Sequence, residues 1–114
     1  MSMMTDMVDA MQAAGIEAWL PGRHTGTCKA PYAVVADDGL RRMGKTTGRH
    51  VYIVTAYVPH DRPTALNPLL AQIRTALTGV DGVRETGEQS PDDIDDELQA
   101  YYCSLEYSAL CSML

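Results

Sequence analysis

The fold of this chain is decided by the stretch Tyr101-Tyr102-Cys103-Ser104-Leu105-Glu106-Tyr107-Ser108-Ala109 near its C-terminus. The odd-numbered residues of this stretch fall on one face of an extended chain, whereas Ser104, Glu106 and Ser108 fall on the other. The alternation predicts a strand with one buried face, which closes the core of the protein. An acidic, turn-rich segment, Ser90-Pro91-Asp92-Asp93-Ile94-Asp95-Asp96-Glu97, leads into it.

The strongest strand signal lies in the middle of the chain, at residues 50–58. Most of these residues are β-branched or aromatic, and apolar groups occur on both faces. The strand is therefore expected at the centre of a sheet or covered on both sides. Shorter runs predict further strands at residues 16–20, 32–36 and 83–88.

Two segments have the apolar spacing of amphipathic helices. In the first, Thr5 is placed to cap the helix and Gly15 to end it, and the apolar stripe consists of Met4, Met7, Val8, Met11 and Ala14. In the second, Asn67 is the expected cap, Pro68 the first helical residue and Gly79 the stop. The stripe of this second helix consists of Leu69, Leu70, Ile73, Ala76 and Leu77.

The predicted order of elements, α-β-β-β-α-β-β, is typical of an α+β fold. We expect a single mixed or antiparallel β-sheet with two helices packed on one face, in one domain that spans residues 1–114. Loops are expected at residues 22–30, 37–49 and 89–98. The side chains predicted to be buried are Met11, Ile53, Leu70, Ile73, Leu77, Cys103 and Leu105.

The net charge of −6 argues against sequence-specific nucleic-acid binding, which needs a surplus of Lys and Arg on the binding face. No apolar run approaches the roughly 20 residues that span a bilayer, and the N-terminus lacks the pattern of a secretion signal. We therefore expect a protein that stays in the cytoplasm where it is made. The three cysteines, Cys28, Cys103 and Cys111, are expected as free thiols.

Charge is concentrated in two segments of opposite sign. The basic segment contains Arg41, Arg42, Lys45 and Arg49, and the acidic segment contains Asp92, Asp93, Asp95, Asp96 and Glu97. Such runs are commonly solvated loops, and the alternative is a pair of complementary contact surfaces between copies of the chain. These nine residues are the candidate assembly contacts.

Residues 39–46 match the phosphate-loop pattern of two glycines, a lysine and a threonine. A nucleotide site of that type needs a helix directly after the loop, because the amides at the helix start hold the phosphates. Here the chain continues into the strongly β-forming residues 50–58 instead. A basic hairpin loop is the preferred interpretation, and a nucleotide-binding protein remains an alternative.

No other pattern in the sequence predicts chemistry. His24 and Cys28 form the one close pair of zinc-type ligands, and no second pair completes a set of four. Cys103 and Ser104 lie within a predicted strand, where a nucleophile would be hard to reach. We therefore predict no enzyme activity, no metal site and no cofactor.

The order of elements and several short motifs resemble the tail terminator, or tail completion, proteins of long-tailed bacteriophages. The motifs are Trp19-Leu20-Pro21-Gly22, Tyr57-Val58-Pro59, the helix at residues 69–77, Ser90-Pro91-Asp92-Asp93, and Ala100-Tyr101-Tyr102-Cys103-Ser104-Leu105-Glu106-Tyr107. The resemblance extends from Asp6 to Ser108 and is best at residues 90–107. The chain departs from the family by a longer basic loop at residues 41–49, which leaves the partner of that loop open.

The resemblance implies a structural virion protein at the tail-neck junction, assembled in the cytoplasm of the bacterial host. Such a subunit forms a six-fold ring on the last ring of tail tube protein, stops tube growth and docks the head completion protein, with DNA able to pass through the ring. It implies no catalytic or cofactor residue. A neighbouring neck or head-tail connector protein is one alternative function, and a cellular adaptor domain that dimerises through its edge strands is another.

Overall fold

Two long strands form the centre of the sheet in the computed structural model, which describes residues 2–112. β3 (Thr47–Pro59) and β6 (Ala100–Ser112) pair in antiparallel register along their whole lengths, with Pro59 opposite Ala100 and Thr47 opposite Ser112. Each strand contributes one face to the main core, β3 through its even-numbered residues 52–58 and β6 through its odd-numbered residues 103–107. The stretch at residues 101–109 is therefore the strand that closes the core.

The remaining strands flank this central pair, and they are β1 (Ala18–Trp19), β2 (Tyr32–Arg42), β4 (Arg84–Gln89) and β5 (Asp93–Asp95). The order across the sheet is β1-β2-β3-β6-β4, and β5 pairs with β6 beyond the end of β4. β1 is parallel to β2, whereas all other pairs are antiparallel. The predicted mixed sheet is therefore confirmed.

Both helices pack on one face of the sheet. α1 (Met3–Ala13) contacts α2, β1 and β2, and α2 (Leu66–Leu77) contacts β3 and β6. The main core between helices and sheet includes Met7, Met11, Leu70, Ile73, Val54, Cys103 and Leu105, all at most 2% exposed. The α+β class, with one mixed sheet of six strands and two helices, follows from this arrangement.

The predicted helix starts need correction. Ser2, rather than Thr5, caps α1, because its hydroxyl accepts a hydrogen bond from the Thr5 backbone N–H at 3.2 Å. A short 3₁₀ turn, Pro63–Ala65, precedes α2, which begins at Leu66. Asn67 and Pro68 thus lie inside the first turn of α2, where backbone N–H groups have no intrahelical acceptor and proline is tolerated.

Ile53 is the one predicted core residue that is only half-buried. It lies on β3 opposite Ala36 and Glu106, on the sheet face without helices. Residues 52, 54, 56 and 58 of the same strand face the helices instead and are buried. The composition of residues 50–58 could not show which of its two apolar faces the helices cover.

Residues 20–31 cover part of the helix-free face and form a second, smaller core with it. Cys28, Tyr32 and Ala100 are buried there, with Trp19 and Tyr57 packed against them. A row of rings crosses the sheet: His24 stacks on Tyr32 with ring centroids 3.8 Å apart, Tyr32 on Tyr57 at 4.9 Å, and Tyr57 contacts Tyr102 at 5.6 Å. This row fixes the predicted 22–30 loop onto the sheet.

One predicted loop is largely strand, and another contains a short strand. In the segment 37–49, β2 continues to Arg42 and β3 already begins at Thr47, so that only a short turn remains between them. In the segment 89–98, β4 ends at Gln89 and β5 occupies residues 93–95. The side chains of these strands are mostly polar, so the pattern of hydrophobic residues does not predict them. They form because their backbones pair with β3 and β6, which supply the hydrogen bonds.

Candidate functional site

The basic segment forms a projecting hairpin, which we call the basic arm and define as residues 39–50. The C-terminal part of β6 pairs with β3 beside the arm, so the arm and β6 together form a three-stranded ribbon. Arg41, Arg49 and Leu110 form one row across this ribbon, and Leu40, His50 and Ala109 form the next. Because successive side chains of a strand alternate between faces, the two rows occupy opposite faces of the arm. His50 shares the helix face with Tyr52, on which its ring stacks at 4.9 Å.

A β-bulge joins the arm to the rest of the sheet. The register of β2 with β3 shifts between Asp37 and Gly39, and Gly39 has a φ of 95°, which glycine adopts without steric strain. The Asp37 carboxylate accepts the Gly39 backbone N–H at 2.7 Å and contacts His50 Nε2 at 2.8 Å. The pKa of Asp37 is below its ordinary value mainly because its carboxylate accepts the hydrogen bond from Gly39, and to a smaller extent because of its contact with His50.

The tip of the arm is closed by its own backbone and by Arg42. The N–H groups of Met43 and Gly44 donate to the Thr47 carbonyl, at 3.0 and 3.2 Å. The Arg42 guanidinium donates to the carbonyls of Gly44 and Lys45, at 3.2 and 3.1 Å. These four hydrogen bonds hold the tip of the arm in a defined conformation.

The acidic segment lies at the other end of the sheet, and we call residues 92–97 the acidic corner. Asp93 and Asp95 belong to β5, with Asp95 opposite Ala100 on β6. Their side chains accept local backbone N–H groups, Asp93 that of Ile94 at 2.8 Å and Asp95 that of Leu98 at 3.0 Å. Asp96 and Glu97 are exposed in the turn that follows.

Asp92 is tied to β6 by a hydrogen bond from the Tyr101 hydroxyl, 3.1 Å long. This hydrogen bond raises the pKa of Tyr101, because the phenol must keep its proton in order to donate. The turn into β6 contains Gln99 with a positive φ of 53°. His60 stabilises this conformation, since its backbone N–H and its Nδ1 both contact the Gln99 carbonyl, at 3.0 and 2.9 Å. The acidic corner is thus held in one shape.

The structure places the two groups of candidate contacts apart. On β6, Tyr102 beside the acidic corner and Leu110 beside the arm are eight residues apart, roughly 26 Å in an extended strand. The described part of the molecule measures 48 × 26 × 23 Å, so this separation is comparable to the shorter dimensions of the molecule. The basic and acidic candidates therefore do not meet within one chain.

Few of the candidate charges are neutralised within the chain. Over residues 2–112, the ion pairs are Arg41 with Asp38 at 3.0 Å, His50 with Asp37, and Arg74 with Glu85. In the same part of the chain, Lys45, Arg49, Asp96 and Glu97 have no ion-pair partner. Arg49 and Asp95 are half-buried and the other seven candidates are exposed. The two segments thus present opposite potentials to solvent.

Exposed apolar side chains accompany both charged segments, a feature that the sequence analysis missed. Among residues 2–112, the large hydrophobic side chains that are exposed are Leu40 (46%), Met43 (60%), Leu110 (77%) and Ile94 (56%). Leu40 and Met43 lie on the arm, Leu110 lies beside it on β6, and Ile94 lies between Asp93 and Asp95. The sequence does contain a signal for these exposed residues, namely an apolar residue within each charged run. Such a residue indicates a contact surface, because a loop that is only solvated gains nothing from it.

The helix-free face contains a second unusual feature beside the aromatic row. Trp19 Nε1 and His24 Nδ1 are buried atoms without a hydrogen-bond partner. Trp19 contacts the His24 ring edge-on, with centroids 5.8 Å apart. A hollow of about 440 Å³ borders His24, with Glu17, Gly26 and Lys29 in its lining. The residues that line this hollow do not indicate a particular substrate.

The segment that matches a phosphate loop is built as a hairpin. Gly39 to Arg42 are strand, Gly44 to Thr46 form the turn, and β3 begins at Thr47. No helix begins at Lys45, so converging helical amides do not surround this lysine. Within residues 2–112, no group of three or more His, Cys, Asp and Glu side chains is arranged to hold a metal ion.

Comparison with known proteins adds no relative. No protein-family model matches the chain, and no curated protein matches it by sequence. In the described part of the chain, neither helix is long and apolar enough to cross a membrane.

Proposed function

We propose that this chain is a structural protein of a long-tailed bacteriophage, which caps the tail tube as a ring and forms the joint to the head. The resemblance of its motifs to tail terminator proteins suggests the role. The observation that carries the proposal in this structure is the placement of a basic arm and an acidic corner at opposite ends of one sheet.

This placement favours contacts between unlike surfaces. If two arms met around a two-fold axis, Arg41, Lys45 and Arg49 would face their own counterparts, and two acidic corners would repel each other in the same way. Arm-to-corner contact brings opposite charges together and leaves a free arm and a free corner on the pair. Further copies can then add until the rotation closes a ring.

A ring subunit of this kind has two protein partners besides its own copies. One face of the ring would meet the tail tube protein and the other the head completion, or neck, protein, at the tail-neck junction of the virion. Surface ion pairs contribute only about 0 to 1 kcal/mol each. The strength of assembly must therefore come from buried apolar area, with the charges supplying orientation and a faster encounter.

Light scattering tests this proposal on the purified chain, alone and mixed with tail tube protein. The expected result is a mass several times that of the 12.4 kDa chain, with closed rings visible by electron microscopy. A chain that stays monomeric in both conditions would contradict the proposal. A stable dimer that never forms a ring would instead favour the alternative of a cellular adaptor domain that dimerises through its edge strands.

A further inference from the structure

Both charged segments lie on open strand edges of the sheet. β1 pairs only with Ala33 and Val34 of β2, so that within residues 2–112 no strand pairs with the outer edge of β2 from Gly39 to Arg42. β5 pairs with β6 on one side, and the described residues place no strand on its other side. Open edges present unpaired backbone groups that another strand can pair with.

From these edges we propose that the arm edge of β2 in one copy pairs with the β5 edge of the next copy. This inference rests on the proposed ring, and it names the surface through which neighbouring subunits join. The strand directions are compatible, because β2 and β6 run the same way whereas β5 runs opposite to β6. Two copies in the same orientation, one displaced along the strands by roughly 26 Å, therefore present an antiparallel pair of edges, because Leu40 and Ile94 align with β6 residues eight positions apart.

The side chains of the two edges match face by face. Leu40 lies opposite His50 on the helix side of the sheet, and Ile94 lies on the same side opposite Tyr101. On the helix-free side, Arg41 and Arg49 form a row, and Asp93 and Asp95 lie on this side of β5, opposite Tyr102 and Ala100. Continuing the sheet from one copy to the next places Leu40 against Ile94 and the guanidinium groups against the carboxylates.

This arrangement has the composition of a protein interface. Leu40 and Ile94 are 46% and 56% exposed in the single chain, and their contact would remove apolar surface from water. Arg41 and Asp93 would supply a polar rim and set the register of the strands. A second copy of this chain is the occupant that fits, because the chain itself carries both complementary edges.

Charge reversal tests the pairing. We expect the arm variant Arg41→Glu/Arg49→Glu and the corner variant Asp93→Lys/Asp95→Lys each to self-associate at least ~10-fold more weakly than the wild type, since both then present like charges to themselves. In an equimolar mixture, every arm can meet a corner of opposite charge. We therefore expect mixing to restore association to within about threefold of the wild-type constant, by sedimentation or light scattering.

A matched control separates this contact from a general effect of charge. Arg23→Glu/Lys29→Glu makes the same change in net charge as the arm variant, on exposed residues of the 20–31 segment, and it should leave association unchanged. Reversed variants that associate like the wild type, or a mixture that stays as weak as its components, would overturn the edge pairing while leaving the ring itself standing. A wild-type chain that never associates would overturn both.

A crosslink provides a second test that does not depend on weakened binding. In a Cys111→Ser background, Leu40→Cys together with Ile94→Cys should give a ladder of disulfide-linked oligomers under mild oxidation, because the two residues meet between copies. Moving the second cysteine to position 88 on β4, as Glu88→Cys, is the control and should give no ladder. A ladder from the control but not from the Leu40 and Ile94 pair would overturn the register.

Discussion

At the scale of single residues, the α2 side chains carry the packing between helix and sheet. Leu70 is 2% exposed and belongs to the core that contains Ile73 and Leu105. We predict that Leu70→Ala lowers the free energy of unfolding by about 2 to 5 kcal/mol, the cost of emptying a packed core site. Urea unfolding checks this, with Leu110→Ala as control. Leu110 is 77% exposed, and its truncation should cost less than about 0.5 kcal/mol.

Two buried tyrosines give a prediction at alkaline pH. Burial raises the pKa of Tyr32 and of Tyr107 to about 12, from an ordinary value of 10.0. Because the folded state holds these protons more tightly than the unfolded state, their contribution to stability is complete below pH 10 and is lost as the pH rises toward 12. Unfolding measured from pH 8 to 12 should show this loss. The variants Tyr32→Phe and Tyr107→Phe should each reduce it, and an unchanged slope in both would contradict the assignment.

Individual residues also show where sequence reasoning works. Leu70, Ile73, Cys103 and Leu105 were predicted to be buried and are, because periodicity identifies the apolar face of a helix or of a strand with one polar face. Ile53 was predicted wrongly, since β3 is apolar on both faces and the covering layer is a property of the whole fold. The cap of α1 was also misplaced, because Ser2 and Thr5 are both suitable residue types and three-dimensional geometry decided between them.

At the scale of elements, the arm depends on its attachment at the bulge. We predict that Asp37→Asn loosens the arm, since the amide is a weaker acceptor for the Gly39 N–H and for His50. Amide hydrogen exchange should accelerate in residues 39–50 and stay unchanged in α2. In the wild type, the Asp37 carboxylate becomes protonated as the pH falls below its ordinary pKa of 3.8 and through the lower pKa of the folded state. The arm should therefore loosen in the same way over that pH range. Equal protection of the arm in the variant and the wild type would show that the anchor is elsewhere.

The turn of the arm gives a prediction about nucleotides. Lys45 lies in the bend at the tip of the arm and lacks the helix start that holds phosphates in nucleotide-binding loops. We therefore expect no saturable binding of ATP or GTP in the micromolar range, measured with fluorescent analogues. Lys45→Ala should behave like the wild type. Micromolar affinity that disappears in this variant would revive the nucleotide-binding alternative.

The arm also shows the limit of pattern reading for elements. Residues 50–58 are rich in β-branched and aromatic side chains and residues 101–109 alternate in polarity, so both were predicted as strands from the sequence. Residues 37–42 and 47–49 are polar and glycine-containing, and they are strands because β3 and β6 extend beside each other beyond the core. Backbone pairing with a distant segment leaves no periodic mark in the sequence.

At the scale of the whole molecule, the separation of charge is the feature that sequence could not supply. The sequence identified both charged segments, but their places at opposite ends of the sheet follow from the pairing of β5 with the start of β6 and of the arm with its end. Each copy therefore has a basic end and an acidic end. The ring proposal depends on this arrangement, because the basic end of one copy can contact the acidic end of the next around a closed ring.

The length of phage tails tests the central claim most directly. Tails assembled without this chain should be measured by electron microscopy beside tails from the same phage with the gene restored. We expect tubes of variable and excessive length without the chain, few of them joined to heads, and tails of uniform length joined to heads when it is restored. Tails of normal length, joined to heads in its absence, would contradict the claim that this chain caps the tube.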